Sequence, residues 1–588
     1  MTLQRIFSKN CQSLRFFPLF LMFLFFPLFL NAKEALKVVA RLSNPILSET
    51  LIGAMAYLED TQIRPRSGKN DLFTDSSEEG DGCRSKIYLN IFHREILELP
   101  VIGIHMKNRT GEWASQVNFL PKKTGSDGRT LISVQDTNMF ITAFVGFPLF
   151  LFQETKDSIG SGFIQRMLSL CYKNIEECKR GDAFNFWPSM EGAMSHFQRT
   201  GPMNIPVFLI KKLAEAFVNP KFDGFFKKLC KGMKIPPKDW IYACLSPKNP
   251  TGADAFFNIP DDADDTSTAV AFQKLMSERF PRSGFNVDYE ALKLIQGYRD
   301  LNRTREDGRD TWKGQNSGAF LTWMRDENRP TFENPEIGII PLGVNNVDLV
   351  VNANVAFSLA LNNMKILPGY KEAIDLLGNG IEKHTWPQAG LYYPQNMIFP
   401  YTVSRAFRDG GATELRESMK KLLIQVLDEQ DSVSKTQPKL NGVFPGGEDE
   451  SYHLSTALGL VTLLNIGQGI AEECNCLPRY SKAVDGAVNF LLNEAKCQKL
   501  EYQTTKEIFG DKIQARKWET GLFFAASFWD LGHWRSQAFT ESVVIESLAK
   551  YMMGYELPEK ANSHSRLVLV PDQKSNCGIT LQMVNSEK

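Results

Sequence analysis

Apolar and polar positions recur along the chain in a pattern. Five segments open on a polar, cap-like stretch and run into an apolar body rich in small residues: 135–147 (QDTNMFITAFVGF), 262–276 (DADDTSTAVAFQKLM), 346–361 (NVDLVVNANVAFSLAL), 452–465 (YHLSTALGLVTLLN) and 537–552 (QAFTESVVIESLAKYM). Asp, Asn, Thr and Ser at a helix start accept hydrogen bonds from the first free backbone N–H groups. The bodies are apolar around most of their circumference, which suits helices covered on two sides. Between them lie segments with one apolar and one polar face, at 162–178, 205–218, 287–300, 370–383, 414–429 and 480–495. A further helical pattern runs over 48–62, and short β-like runs (KIYLNIF, LPVIGIHM) lie within 86–120.

Fully apolar helices alternating with half-apolar ones are what an inner and an outer layer require. The expected fold is all-α, an α/α toroid of inner and outer helices, with a small irregular β-containing insertion near the N-terminus. The irregular spacing rules out a short-period solenoid; a simple helical array is the competing architecture. The domain reading is 1–32 as a signal peptide, 33–130 as an N-terminal helix and β-containing segment packing on the toroid, 131–560 as the toroid, and 561–588 as a C-terminal tail.

The start of the chain shapes the expectation for compartment. Arg5, Lys9 and Arg15 precede the wholly apolar run 16–30, and Ala32 supplies a small residue at a cleavage position. Fifteen apolar residues are short for a bilayer-spanning helix, so an export signal, periplasmic or secretory, is expected; an N-terminal membrane anchor is the alternative. Lys+Arg and Asp+Glu both number 67, so nothing in the charge balance points to nucleic acid. The ten cysteines and seven histidines show no zinc-like spacing, so no metal or cofactor is expected.

Against that neutral background one acidic run stands out: Asp261-Asp262-Ala263-Asp264-Asp265-Thr266 at the head of an apolar helix. Two unit charges ~4 Å apart at an effective dielectric of about 20 repel by about 4 kcal/mol. The helix N-terminus opposes this by only roughly 0.3–2 kcal/mol. If the cluster is buried, at least one Asp should keep its proton near neutral pH, as a general acid must. If it is exposed, it is an acidic helix cap.

Asp262-Ala263-Asp264-Asp265-Thr266, followed by Ser267-Thr268-Ala269-Val270, resembles the DxDDT motif of class II terpene cyclases such as squalene–hopene cyclase. In that family the motif opens an inner helix of an α/α toroid, and its middle Asp protonates a polyene double bond or epoxide. The resemblance implies Asp264 as the acid, Asp262 and Asp265 as residues that tune or orient it, and a linear isoprenoid as the hydrophobic substrate. A cyclase must shield carbocations with aromatic faces. Trp187, Trp323, Trp386, Tyr392, Trp529 and Trp534 are candidates for that lining, with Asn352 and His453 as polar groups at the starts of buried helices.

Other readings stay open. Asp261, Asp262 and Asp265 also spell DDxxD, similar to the magnesium–diphosphate motif of class I terpene and prenyl synthases. Toroids also serve as glycoside hydrolases or polysaccharide lyases, where Asp264 would pair with Glu448, Asp449 or Glu541. A non-catalytic toroid binding protein is the third alternative. Contact with a membrane surface and the oligomeric state are open too.

Overall fold

A computed structural model describes residues 44–64, 73–75, 86–91, 94–100, 107–113, 115–119, 132–136, 138–154, 162–190, 199–200, 259–301, 316–325, 345–388, 390–446, 451–510, 512–525, 532–554, 564–571 and 579–586. The export signal expected at 1–32, the helix expected at 205–218, and Trp529, Glu448 and Asp449 lie outside these residues. The protein is mostly helical.

The main helices, labelled in chain order, are α1 (Pro45–Thr61), α2 (Met139–Gly146), α3 (Phe163–Glu176), α4 (Ala263–Arg279), α5 (Tyr289–Ile295) and α6 (Leu349–Leu361). They continue with α7 (Tyr370–Glu382), α8 (Ile398–Arg408), α9 (Arg416–Thr436), α10 (Tyr452–Ile466), α11 (Leu477–Glu494) and α12 (Gln537–Met553). Among the described residues, α2, α4, α6, α8, α10 and α12 pack in cyclic order, each on the next and α12 back on α2. These are the helices buried nearly all round. The other six back onto them: α3 on α2 and α4, α5 on α4, α7 on α6, α9 on α8 and α10, α11 on α10, and α1 on α12. Most of them leave an outer face exposed, as in α9, where only one stripe (Met419, Leu422, Leu423, Val426, Leu427, Gln430, Val433) is buried; α1 is the exception, buried from Thr50 to Asp60.

Local chemistry starts the buried helices as the sequence suggested. Asn138 accepts from Ile141 N–H at 2.9 Å, Asp262 from Asp265 N–H at 2.6 Å, Asp348 from Val350 N–H at 2.6 Å, and Ser536 from Phe539 N–H at 3.2 Å. Each cap satisfies a donor that burial would otherwise leave unpaired. Two of the buried helices, α8 and α10, begin without a side-chain cap.

Strand is more widely distributed than the expected N-terminal insertion. Lys86–Ile91 and Arg94–Pro100 form a hairpin. A four-stranded antiparallel sheet joins Leu522–Ala525, Gly532–Arg535, Ser115–Phe119 and Ile132–Asp136 in that order, bringing residues before α2 onto residues before α12. The segment 561–588, expected as a tail, supplies strands His564–Pro571 and Ile579–Ser586, and the first of these pairs in parallel with Phe152–Glu154. The strands beyond residue 120 lie outside the all-α expectation: most are only two to five residues long, too short for alternation to stand out, although Ile579–Ser586 (ITLQMVNS) does alternate over its first five positions.

An extended strip, 316–325, links the starts of α4 and α6. Ala263 N–H donates to Thr322 C=O at 2.9 Å, Met324 N–H to Asp261 C=O at 2.8 Å, and Thr322 N–H to Asn346 C=O at 2.9 Å. Asn352, inside α6, accepts from Phe320 N–H and donates to Phe320 C=O, both at 3.0 Å. A buried amide with all its hydrogen bonds made is a rigid spacer, and here it fixes the strip that abuts the acidic helix start.

Among the described residues no helix is long and apolar enough to cross a membrane. Packing is tight enough to test. A Cβ on Gly459, in α10, would meet the Phe444 ring at 2.6 Å. Gly459→Ala is expected to destabilise by about 1–3 kcal/mol through overpacking, despite the roughly 1 kcal/mol of helix propensity that Ala gains over Gly. Chemical denaturation checks this; a variant as stable as the parent would show that α10 can shift.

Candidate functional site

The four carboxyls of 261–265 are all turned inward, yet they do four different things. Asp261 is ion-paired with Arg180 Nε at 3.0 Å and accepts from Asn185 Nδ2 at 3.1 Å. Asp262 is the helix cap. Asp265 is buried beside Asp262, and burial together with the charge of Asp262 pushes its carboxyl well above the usual carboxylate range. Asp264 points elsewhere. Its Oδ1 accepts from Asn354 Nδ2 of α6 at 2.7 Å, and its Oδ2 is hydrogen-bonded to the hydroxyl of Tyr393.

Asp264 is 4% exposed. Burial pushes its carboxyl up to about 6, while the hydrogen bonds from Tyr393 and Asn354 and the charge of Arg405 pull it down. The sequence-based argument named repulsion plus desolvation; for Asp264 desolvation is the larger cause, and repulsion acts chiefly between Asp262 and Asp265. Asp348, the cap of α6, is pushed up to about 7 by burial, against hydrogen bonds from Leu391, Val351 and Val350 N–H. Burial and the neighbouring Asp264 also raise the Tyr393 hydroxyl, so it stays neutral.

Beside Asp264 the surroundings are aromatic. Tyr393 lies 5.8 Å, ring to ring, from Phe140 of α2 and 5.9 Å from Phe524. Phe524 is a hub, stacked on Tyr392 at 6.0 Å and on Phe186 at 5.3 Å, and edge-on to Trp534 at 5.2 Å. Trp187 sits edge-on to Phe186 at 5.1 Å. Trp323 packs edge-on to Tyr392 at 5.7 Å and donates to its hydroxyl at 2.9 Å; Asn346 Nδ2 donates to the same oxygen at 2.9 Å. Trp187, Trp323, Tyr392 and Trp534 therefore belong to one cluster that reaches Asp264 through Tyr393.

Other residues expected at the site are placed elsewhere. Asn352 has both amide atoms committed to the 316–325 strip and to Asp348 C=O. Trp386 donates to Gln425 of α9 at 2.8 Å and stacks on Phe399, wedging outer against inner helix. His453 stacks on Phe490 of α11 and accepts from Glu519 N–H at 3.3 Å; burial holds its pKa below the usual histidine value. Glu541, offered as a partner carboxylate for sugar chemistry, accepts from Trp518 N–H at 2.9 Å and from Gln537 Nε2 at 2.5 Å.

Two contributors were not singled out from the sequence for the roles they have here. Tyr393 stood among many aromatics, and nothing local marked it as the partner of Asp264. Arg405, on α8, was missed. It is 3% exposed, donates through Nη2 to Asn354 Oδ1 at 3.0 Å, and has the rings of Phe144, Phe357, Phe147 and Tyr401 within 4.5, 4.6, 4.8 and 5.4 Å of its guanidinium carbon. Its helix, with Arg405 and Arg408 in its last turn, reads as a surface segment, so nothing in the sequence pointed to it.

No protein-family model matches the chain, and no curated protein matches it in sequence. Solved structures are similar to it in shape. A variant of the type II terpene cyclase MstE from Scytonema, in complex with geranylgeranyl dihydroxybenzoate (substrate), has a TM-score of 0.39 at 13% identity, over 75% of this chain and 92% of that one. Another variant of that enzyme, in complex with merosterolic acid A (product), gives 0.38 at 12% identity, over 75% and 91%. A protein from Actinoplanes gives 0.39 at 10% identity, over 75% and 93%. At these values the chemistry rests on this chain's own residues.

The raised carboxyls have a thermodynamic signature. A folded pKa above the unfolded one gives stability that is full below the unfolded value and is lost as pH rises through the folded value. Between about pH 4 and pH 7 the protein is therefore expected to lose stability, with roughly 2–3 kcal/mol of that loss from Asp264. Denaturation curves at pH 5 and pH 8 should differ less for Asp264→Asn than for the parent. Equal differences would mean that Asp264 titrates as if in water.

Proposed function

We propose that the protein is a terpene-cyclase-like enzyme that starts the cationic cyclisation of a linear isoprenoid by protonation from Asp264. The observation that carries the proposal is a single carboxyl, dry and raised towards neutrality, bonded on both oxygens and set against an aromatic cluster. In this reading the six cyclically packed helices are the inner ring of an α/α toroid, and the helices behind them are its outer ring. Asp262 and Asp265 hold the helix start and its local charge, and Trp187, Trp323, Tyr392 and Trp534 line the reaction space. Residues 1–32 serve as an export signal in the same reading.

The chemistry follows from the geometry. The proton leaves from the Asp264–Tyr393 pair and adds to one carbon of a terminal double bond. Its partner carbon becomes a tertiary cation, which the next double bond attacks to close a ring. Loss of a proton from the last cation leaves an isomer of the starting material, and Asp264 must be reprotonated before the next turnover. Desolvation weakens the acid but also removes the water that would quench the cation, and the Phe524 cluster offers π faces to positive charge. Asp264, left as a carboxylate, is held by Asn354, Tyr393 and the field of Arg405.

The alternatives fit the residues less well. A sugar hydrolase needs two carboxylates flanking a wet cleft, whereas Asp264 is buried among rings and Glu541 has other partners. A DDxxD diphosphate site needs Asp261, Asp262 and Asp265 to converge, and these are taken up by Arg180, the helix cap and each other.

The test is turnover of linear isoprenoids, with cyclised products separated and identified by mass. Asp264→Asn is expected to lower product formation by at least about 10²–10⁴-fold while leaving the far-UV circular dichroism intact. Undiminished product from that variant would eliminate the proposal. Tyr393→Phe, which keeps the ring and removes the hydroxyl, should give a smaller loss and a changed pH profile.

A further inference from the structure

An asparagine amide has one face that donates and one that accepts, and which way it lies decides what its neighbours can be. Asn354 lies between Asp264 and Arg405. Arginine has only donors, so its contact at 3.0 Å must be to Asn354 Oδ1. The amide nitrogen is then obliged to face Asp264 Oδ1, at 2.7 Å. An oxygen receiving an N–H cannot at the same time point its own proton there. The carbonyl oxygen of a neutral acid is a better acceptor than its hydroxyl oxygen, so the N–H favours Oδ1 as the carbonyl and the proton on Oδ2, the oxygen beside the Tyr393 hydroxyl.

Resting on the cyclase reading, we propose that Arg405 is a positioning residue that locks the amide of Asn354, so that Asp264 carries its proton on Oδ2, at the aromatic cluster. The surroundings of Arg405 are built for this. Among the described residues no carboxylate pairs with it; its charge is met by the faces of Phe144, Phe147 and Phe357 and by Tyr401. Among the same residues its Nε and Nη1 have no hydrogen-bond partner, and its directed contact is Nη2 to Asn354. An adjacent carboxylate would neutralise the guanidinium; ring faces hold it without doing so. Its field therefore reaches Asp264 and favours the anion that remains once the proton has left.

Several other groups influence the same titration. Asp262 and Asp265 lie on α4 with Asp264, Asp348 caps α6, and Tyr393 touches Asp264 directly. On the far side of Arg405, Tyr401 donates to Glu546 of α12 at 2.9 Å, and Lys550 pairs with Glu546 at 2.8 Å. None of these can orient Asn354, so the amide lock is separable from them.

The experiment is an infrared pH titration of the full chain without substrate, with the Asp264 carboxyl band identified by its loss in Asp264→Asn. Arg405→Met is expected to raise the Asp264 midpoint by about one pH unit, a tenfold change in its ionisation constant, and to shift the band. Arg405→Lys, which keeps the charge and offers only donors, should restore most of both. In an Asn354→Leu background, Arg405→Met should shift the midpoint less than in the parent, because only the field of the guanidinium, and no longer the orientation of the amide, is then lost. A merely structural role would lower the melting temperature and leave the midpoint in place. An unchanged midpoint in folded Arg405→Met overturns the proposal, as does an equal shift with and without Asn354. If Arg405→Met does not fold, Arg405→Gln, which removes the charge and can accept as well as donate, decides in its place: a raised midpoint supports the lock and an unchanged one removes it. Failure to turn over any isoprenoid would count against the cyclase reading alone, since the titration needs no substrate.

Discussion

A carboxyl group withdrawn from water must either keep its proton or have its negative charge met by fixed donors, and Asp264 is held between these two states. Burial alone would drive the acid so far towards the neutral form that it would give up its proton reluctantly. Two hydrogen bonds and a nearby cation alone would make it an ordinary carboxylate, already ionised at neutral pH. Both sets of forces act on one side chain, and the balance leaves its pKa near 6. Much of the surrounding architecture keeps that balance. The strip 316–325 seals the heads of α4 and α6, Asn352 pins the strip, and the rings around Tyr393 exclude solvent from Oδ2.

The four acids of the motif show how a short run of like charges can be buried at all. Each is accommodated by a different route: an ion pair for Asp261, a helix cap for Asp262, a carboxyl driven towards its neutral form for Asp265, and tuned donors for Asp264. No single route would serve four carboxyls so close together. Crowding therefore acts less by direct repulsion of Asp264 than by forcing its neighbours into arrangements that leave it free to face α6 and Tyr393.

Five of the six cyclically packed helices could be read from the chain because each opens on a polar cap and runs into a body apolar around most of its circumference, a pattern that suits burial on two sides. The sixth, α8, was hidden by Pro400, Ser404 and Arg405, which make 398–408 look like a surface segment. The same arginine is what makes that helix important to the site. Asp264 was legible from its company at the head of a helix. Asn352 and Asn354 were both conspicuous as amides in an apolar helix, but two residues is more than half a turn, so they face different ways, and nothing local says which looks inward to the acid. Trp386 and His453 illustrate the opposite limit. Near a helix start, a large polar-tipped side chain serves equally well to seat an outer helix, and only the packing of α9 or α11 decides.

The parallel pairing of Leu567–Leu569 with Phe152–Glu154 and the packing of α12 on α2 bring the last described helix and strands against the first of the cyclically packed helices. The ring thus has a seam, and the parts on either side of it are separated by most of the sequence. On a ribosome, α2 emerges early with an apolar flank whose cover is translated last. Closure is then a late, long-range event with a large loop entropy to overcome, and until it happens Asp264 lacks part of the cover that keeps it dry. Burial of that carboxyl is thereby tied to completion of the polypeptide, so a chain truncated before the seam would carry the full motif around an aspartate still open to water.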